Sequence, residues 1–225
     1  MTALEIVLIS VLGALLIVIT LYLFILKTNT NDRKKTFCVI NEVARANSIT
    51  FVGDSLTDFF PIQDFFPEYV IYNRGIAGDC TRDVLKRLDN IIELQPRRIF
   101  IQIGTNDLGK NVKPQKIVDN IKKIIETLEV NIAGVEIVVI SLYPVSHHKM
   151  WLSPILAGLR TKNKIMEVNR LLIELTKAKG LKYIDLHSQL VGNKMRINHD
   201  YTIEGLHISG VGYGVIAKAL APYID

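Results

Sequence analysis

From residue 49 onward, short apolar runs rich in β-branched residues alternate with longer segments whose apolar residues recur every three or four positions. The runs cover 49–52, 69–72, 98–103, 136–141 and 182–184. Between them, Val84, Leu85, Leu88, Ile91 and Ile92 mark one helical stripe. Ile117, Val118, Ile121, Ile124, Ile125 and Leu128 mark a second, and Ile165, Val168, Leu171, Leu172 and Leu175 a third. A last helix is expected after Gly210, carrying Val215, Ile216, Ala219 and Leu220. Strands that alternate with helices are joined by right-handed crossovers, so the pattern predicts an α/β fold whose parallel sheet is covered on both faces. Such sheets gather ligand sites beyond the carboxyl ends of their strands.

Four polar motifs fall in places of that kind. Ser55, in "GDSL", follows the first run; "NRGIAGD" (73–79) follows the second; "GTND" (104–107) follows the third; "EGLH" (204–207) stands just before the last helix. A serine hydroxyl is a weak nucleophile until a base takes its proton. His207 is the histidine placed for that work, and its second ring nitrogen needs a carboxylate to fix the tautomer and stabilise the imidazolium. Glu204 stands three residues earlier, within reach in a tight loop. Charge developing on a carbonyl oxygen needs preorganised donors, and the candidates are the Ser55 N–H, the Gly78 N–H and the Asn106 side-chain amide. Asp54 and Asp107 read as supporting residues that brace the loops by accepting backbone N–H bonds.

These residues carry a resemblance. From about residue 48 to the C-terminus the chain resembles the SGNH (GDSL-type) hydrolases, a family of esterases and lipases. "GDSL" looks like the family's first block with Ser55 as nucleophile, and "NRGIAGD" like its second with Gly78 as oxyanion glycine. "GTND" looks like the third with Asn106 as oxyanion asparagine, and "EGLH" is similar to the fifth with His207 as base. The resemblance implies a three-layer α/β/α sandwich around a five-stranded, flavodoxin-like parallel sheet. It also implies cleavage of acyl esters through an acyl-enzyme, with no metal and no cofactor. One departure stands out: Glu204 occupies the place of the family's usual aspartate, which leaves a backbone carbonyl, Asp185 or Asp200 as other orienters of the base. Asp185 also reads as the cap after the fifth strand.

Other residues have quieter readings. His147 and His148 line a substrate pocket or sit in a surface loop; His187 and His199 have no evident partner; Cys80 reads as a small buried apolar group. The segment 144–164, with Trp151, Leu152, Ile155 and Leu156, reads as the pocket wall or lid. "GTNDLGKN" (104–111) is a near match to a phosphate-cradling loop, but Asn111 stands where a magnesium-binding hydroxyl is needed and Pro114 delays the helix. A nucleotide-binding module, a catalytically silent scaffold and an acyltransferase using the same residues are the alternatives to a hydrolase. The expected substrate is a small-molecule, glycan or lipid ester, and neither its acyl chain nor an oligomeric state follows from the sequence.

The 21 residues 6–26 contain no charge and no proline. As a helix they span roughly 31 Å, the thickness of a bilayer's hydrocarbon core. A signal peptide would carry a basic start and a shorter apolar stretch, whereas the tail 1–5 holds Glu5 and no Lys or Arg. The expectation is an uncleaved single-pass anchor at 6–26, a juxtamembrane linker and leading helix at 27–47, and a hydrolase domain at 48–225. Lys27, Arg33, Lys34 and Lys35 follow the span, a bias that favours a cytoplasmic domain, while an extracellular face stays open. The net charge of +5 is spread along the chain without a binding motif, so no nucleic-acid partner is expected. Cys38 and Cys80 match neither a disulfide framework nor a metal site.

Overall fold

The structure is a computed structural model describing residues 2–225, apart from the side chains of residues 22, 23, 26, 27, 29 and 30. Met1 of the expected tail and the Lys27 side chain therefore lie outside the described residues. The chain divides into two compact units, Met1–Glu42 and Val43–Asp225.

The first unit is one helix, α1 (Ala3–Glu42). Its start is a reciprocal cap, with the Thr2 N–H donating to Glu5 Oε2 at 2.8 Å and the Glu5 N–H donating to Thr2 Oγ1 at 3.2 Å. Glu5 thus has a structural task at the helix end. The stretch Ala3–Leu21 is long and apolar enough to cross a membrane. Its hydroxyls suit such surroundings, because Ser10 donates to the Ile6 carbonyl and Thr20 to the Leu16 carbonyl, both at 2.8 Å. The polar stretch 27–35, expected as a linker, continues the helix instead. It contains neither Gly nor Pro, and extending a nucleated helix is easy. The helix stops at Glu42, and Asn47 turns the chain with φ +60°.

The second unit carries five parallel strands in the order β2-β1-β3-β4-β5. They are β1 (Ile49–Gly53), β2 (Ile71–Gly75), β3 (Arg98–Gln102), β4 (Glu136–Ile140) and β5 (Lys182–Ile184). Between β1 and β2 lie α2 (Ser55–Asp58) and α3 (Ile62–Phe65); α4 (Thr81–Leu85) and α5 (Asp89–Ile92) follow β2. Next come α6 (Thr105–Gly109) and α7 (Pro114–Asn131) after β3, and α8 (Ser153–Ala157) and α9 (Lys162–Lys179) after β4. α10 (His187–Leu190) and α11 (Gly210–Leu220) close the unit.

Alternating strand residues face opposite layers. Val52, Ile99, Ile101, Ile137 and Val139 pack with Val84, Ile91 and the stripes of α7 and α9. Ile49, Phe51, Phe100, Val138 and Ile140 pack with Leu56, Ile62, Leu190, Tyr213 and Ile216 on the other face. This is the three-layer α/β/α sandwich. Pro114 opens α7, Thr161 caps α9, and Gly180 ends α9 in the left-handed region.

Two boundaries differ from the sequence reading. β2 begins at Ile71 and includes Asn73, Arg74 and Gly75, because its register pairs Ile49 with Ile71 through to Gly53 with Gly75. The second motif therefore starts inside the strand. The single stripe over 84–92 is two short helices, and the break between them holds the buried Arg87, which turns to Asp79.

Candidate active site

Ser55 is the first residue of α2, directly beyond β1 and the cap residue Asp54, whose Oδ1 accepts the Leu56 N–H at 3.0 Å. The serine is largely buried, at 8% exposure. Its Oγ lies 3.2 Å from His207 Nε2. The other ring nitrogen, Nδ1, lies 2.5 Å from Glu204 Oε1, which also accepts the His207 backbone N–H at 3.0 Å. One carboxylate oxygen thus holds both the ring and the backbone of the histidine. The loop is tight enough for this because the Thr202 hydroxyl donates to the His207 carbonyl at 2.7 Å and accepts the Gly205 N–H at 2.9 Å. Two further contacts set the histidine against the serine turn. Tyr213 Oη, on α11, donates to the Leu56 carbonyl at 3.0 Å, and the Phe59 ring lies 5.6 Å from the His207 ring.

The loops beyond β2 and β3 are tied to this turn and to each other. Gly78 has φ +86°, a conformation that L side chains rarely adopt. Asn106 Nδ2 donates to the Asp79 carbonyl at 3.1 Å. Asp107 accepts from the Thr81 N–H at 2.8 Å and from the Thr81 hydroxyl at 2.7 Å, and Asn120 donates to the same hydroxyl. The Asp79 carboxylate pairs at 2.7 Å with Arg87, whose Nη2 donates to the Gly53 carbonyl at 3.2 Å. Asn73 Nδ2 donates to the Thr57 carbonyl at 2.7 Å. A rim braced in this way can hold an ester carbonyl against Ser55 with little reorganisation.

Asp54 is fully buried, and Oδ2 has no hydrogen-bond partner among the described residues. Burial pushes its carboxyl from 3.8 up to about 7, against the pull of the Leu56 N–H and the Arg160 charge. Between those two values the folded chain keeps a proton that the unfolded chain has released. This group's contribution to stability is therefore full below about pH 3.8, falls as the pH rises, and levels off above about 7. Urea titrations at several pH values in that window should show wild type losing stability relative to Asp54→Asn by up to about 1.4 kcal/mol per pH unit. A difference that does not change with pH would contradict the assignment.

The remaining sequence candidates are dispersed. Asp185 lies before α10, whose cap position is Leu186, and accepts from the Ser188 N–H at 3.1 Å and from its hydroxyl at 2.5 Å. The Asp200 N–H donates to the Asn198 side chain, and the Asp200 carbonyl accepts from Ser209. His147 and His148 line a cleft of about 640 Å³ together with Lys162, Lys194 and Arg196; Ser55, His207 and Asn106 do not line it. The Cys80 thiol is buried and pushed up to about 11, chiefly by that burial. Residues 104–111 do not form a phosphate loop: α6 starts at Thr105, Asn111 has φ +59°, and the next long helix begins at Pro114. Among the described residues, no group of three or more His, Cys, Asp or Glu could hold a metal ion.

The sequence reading passed over one residue. Arg160, in the expected wall segment, reaches the third motif. Its Nη2 donates to Asn106 Oδ1 at 2.9 Å and its Nε to the Thr105 carbonyl at 2.8 Å. No local pattern marks it, since its partners in the third motif lie more than fifty positions away.

Known proteins resemble this chain in sequence and in fold. The profile of the GDSL-like Lipase/Acylhydrolase family matches residues 51–215. The chain is 26% identical over 183 residues to the bovine (Bos taurus) platelet-activating factor acetylhydrolase IB subunit alpha1, covering 76% of this chain and 72% of that one. It is 28% identical over 179 residues to the alpha2 subunit of Rattus norvegicus, covering 76% and 73%. A Streptococcus pneumoniae structure described as a candidate platelet activating factor superposes with TM-score 0.85 at 27% identity, over 93% of this chain and 99% of that one. A GDSL-like lipase of Bacteroides thetaiotaomicron shares the fold with TM-score 0.74 at 22% identity, over 85% and 96%. With the family profile spanning most of the sandwich and all four polar motifs, the chain belongs to the GDSL-like lipase/acylhydrolase family and is an ester-hydrolysing enzyme.

Proposed function

We propose that the enzyme is a serine esterase working through an acyl-enzyme on Ser55, with short acyl esters as substrates. The observation that carries this reading is the unbroken line from Ser55 Oγ through the His207 ring to Glu204, at 3.2 and 2.5 Å. His207 Nε2 takes the hydroxyl proton as Oγ attacks the ester carbonyl, and the C–O π pair moves onto the carbonyl oxygen. The Ser55 N–H, the Gly78 N–H and Asn106 Nδ2 receive that oxyanion. The tetrahedral intermediate collapses by breaking the bond to the alcohol oxygen, to which His207 returns the proton. Water then repeats the sequence on the acyl-enzyme, giving the free acid and restoring Ser55. Glu204 keeps the imidazole in the reactive tautomer and offsets its charge when protonated.

Short acyl groups are favoured by the similarity to acetylhydrolase subunits at 26–28% identity. The test is a profile of p-nitrophenyl ester hydrolysis against acyl length. Turnover is expected to peak at acetyl to butyryl and fall for octanoyl and longer esters; a maximum at long chains would reject the substrate class. We also propose that α1 anchors the enzyme in a membrane as a single uncleaved span, with the domain on the side of Arg33, Lys34 and Lys35, the cytoplasmic side by charge bias. The intact chain should then sediment with membranes and be released by detergent and not by high salt. Recovery of a shortened, soluble chain would identify the span as a removed leader.

A further inference from the structure

An amide side chain presents an oxygen and a nitrogen of nearly equal size, and only one of its two orientations serves an oxyanion. If Asn106 turned its Oδ1 toward the developing negative charge, the site would repel the state it must stabilise. Something therefore has to read which end is which.

Two groups of opposite hydrogen-bonding character stand at the two ends of this amide. A guanidinium has five N–H donors and no acceptor, so Arg160 Nη2 can bond to Oδ1 at 2.9 Å and would have nothing to accept from an NH₂ group. The Asp79 carbonyl can only accept, and it takes one Nδ2 hydrogen at 3.1 Å. The flipped amide loses both bonds at once. In the observed orientation one Nδ2 hydrogen is committed and the second is left for a ligand. A cation on Oδ1 also draws electron density toward the oxygen and makes that remaining hydrogen a better donor.

The guanidinium is itself held in place. Nε donates to the Thr105 carbonyl at 2.8 Å, and Nη1 donates to the carbonyls of Leu156 and Ala157 at 3.0 and 3.3 Å, at the end of α8. It lies against Gly109, where a Cβ would come within 2.5 Å of both Cζ and Nη2. A glycine at the end of α6 thus leaves the space that the planar fork fills. The same wall segment reaches the other half of the machinery, since Ser153 Oγ donates to the Glu204 carbonyl at 2.5 Å.

We propose that Arg160 is a positioning residue that holds the Asn106 amide with its N–H turned to the oxyanion, and so makes the pocket wall a working part of the oxyanion hole. This rests on the reading of Asn106 as an oxyanion donor given above. Arg160 does not touch the substrate; it acts through Asn106.

The experiment is a double-mutant cycle on the full chain: wild type, Asn106→Ala, Arg160→Gln and the pair, with kcat, KM and Tm measured on p-nitrophenyl acetate. Asn106→Ala is expected to cost about a hundredfold or more in kcat. Arg160→Gln should cost on the order of tenfold, in kcat with KM little changed, because the donor is misoriented and not removed. In the Asn106→Ala background the Arg160 change should cost nothing further. An undiminished rate in Arg160→Gln, or the same tenfold loss repeated without Asn106, would overturn the proposal and leave a merely structural arginine. Full activity in Asn106→Ala would refute the oxyanion assignment itself, and this inference with it. Should Arg160→Gln lower Tm, Arg160→Lys decides at matched Tm. A point charge cannot serve Oδ1 and the Thr105 carbonyl with the geometry of the fork, so the kcat loss should persist, and wild-type kcat would reject the role.

Discussion

Ser55→Ala is expected to lower ester turnover by about 10⁶-fold while leaving Tm within a degree or two of wild type. The size of the loss follows from what the hydroxyl does. It supplies the bond-forming atom, and without it His207 and the oxyanion donors retain only the smaller acceleration available to water in the same site. The small effect on Tm follows from the structure, since the Ser55 hydroxyl's bond is to His207 and the α2 cap is made by Asp54. Steady-state turnover of p-nitrophenyl acetate, with labelling by a fluorophosphonate, checks both sides. The wild type should gain one adduct, on the peptide containing Ser55, and the variant none. Turnover by Ser55→Ala within a hundredfold of wild type would remove the serine from the mechanism.

Glu204→Gln should cost about 10⁴-fold in kcat, close to the loss produced when a triad carboxylate becomes an amide. Glutamine keeps the length and can still reach Nδ1, so the change isolates charge and tautomer. The neutral amide no longer stabilises the imidazolium, and its NH₂ end can hold the ring in the unreactive tautomer. Glu204→Asp should fall between the two, because the carboxylate survives but retreats by one methylene from the ring it meets at 2.5 Å. If Glu204→Gln came within tenfold of wild type, the orienter would have to be sought elsewhere. Asp185 is engaged with Ser188, and the Asp200 bonds to Asn198 and Ser209 run through its backbone, which is why glutamate is the choice here.

The motifs of the rim were readable from the chain because three of them stand at the ends of apolar runs and the fourth just before the last helix. The order of motifs, the family resemblance and the rule that parallel sheets expose their carboxyl ends led to the expectation that Ser55 and His207 meet, and they lie 3.2 Å apart. Asp107 was read as a loop brace accepting a backbone N–H, and its carboxylate takes the Thr81 N–H and hydroxyl. Element edges were less legible. β2 extends into the second motif because its partner strand sets the register, and pairing energy belongs to two strands together. The polar stretch 27–35 looked like a linker by composition, yet without Gly or Pro even residues of modest helix propensity extend a helix that already has a nucleus. Arg160 left no trace at all. An arginine in a mixed loop resembles any solvated cation until Thr105, Asn106 and the end of α8 surround it.

The division has one physical cause. Hydrophobic period, capping residues and the chemical kinds of the rim side chains are properties of neighbouring positions, and they establish a layered parallel sheet bearing a serine, an imidazole and an amide. Whether the serine meets the imidazole, which way the amide faces and what grips it depend on distances between segments that share no local pattern. Those distances exist only once the helices have packed onto both faces of the sheet and brought residues 55, 106, 160 and 204–207 to one edge.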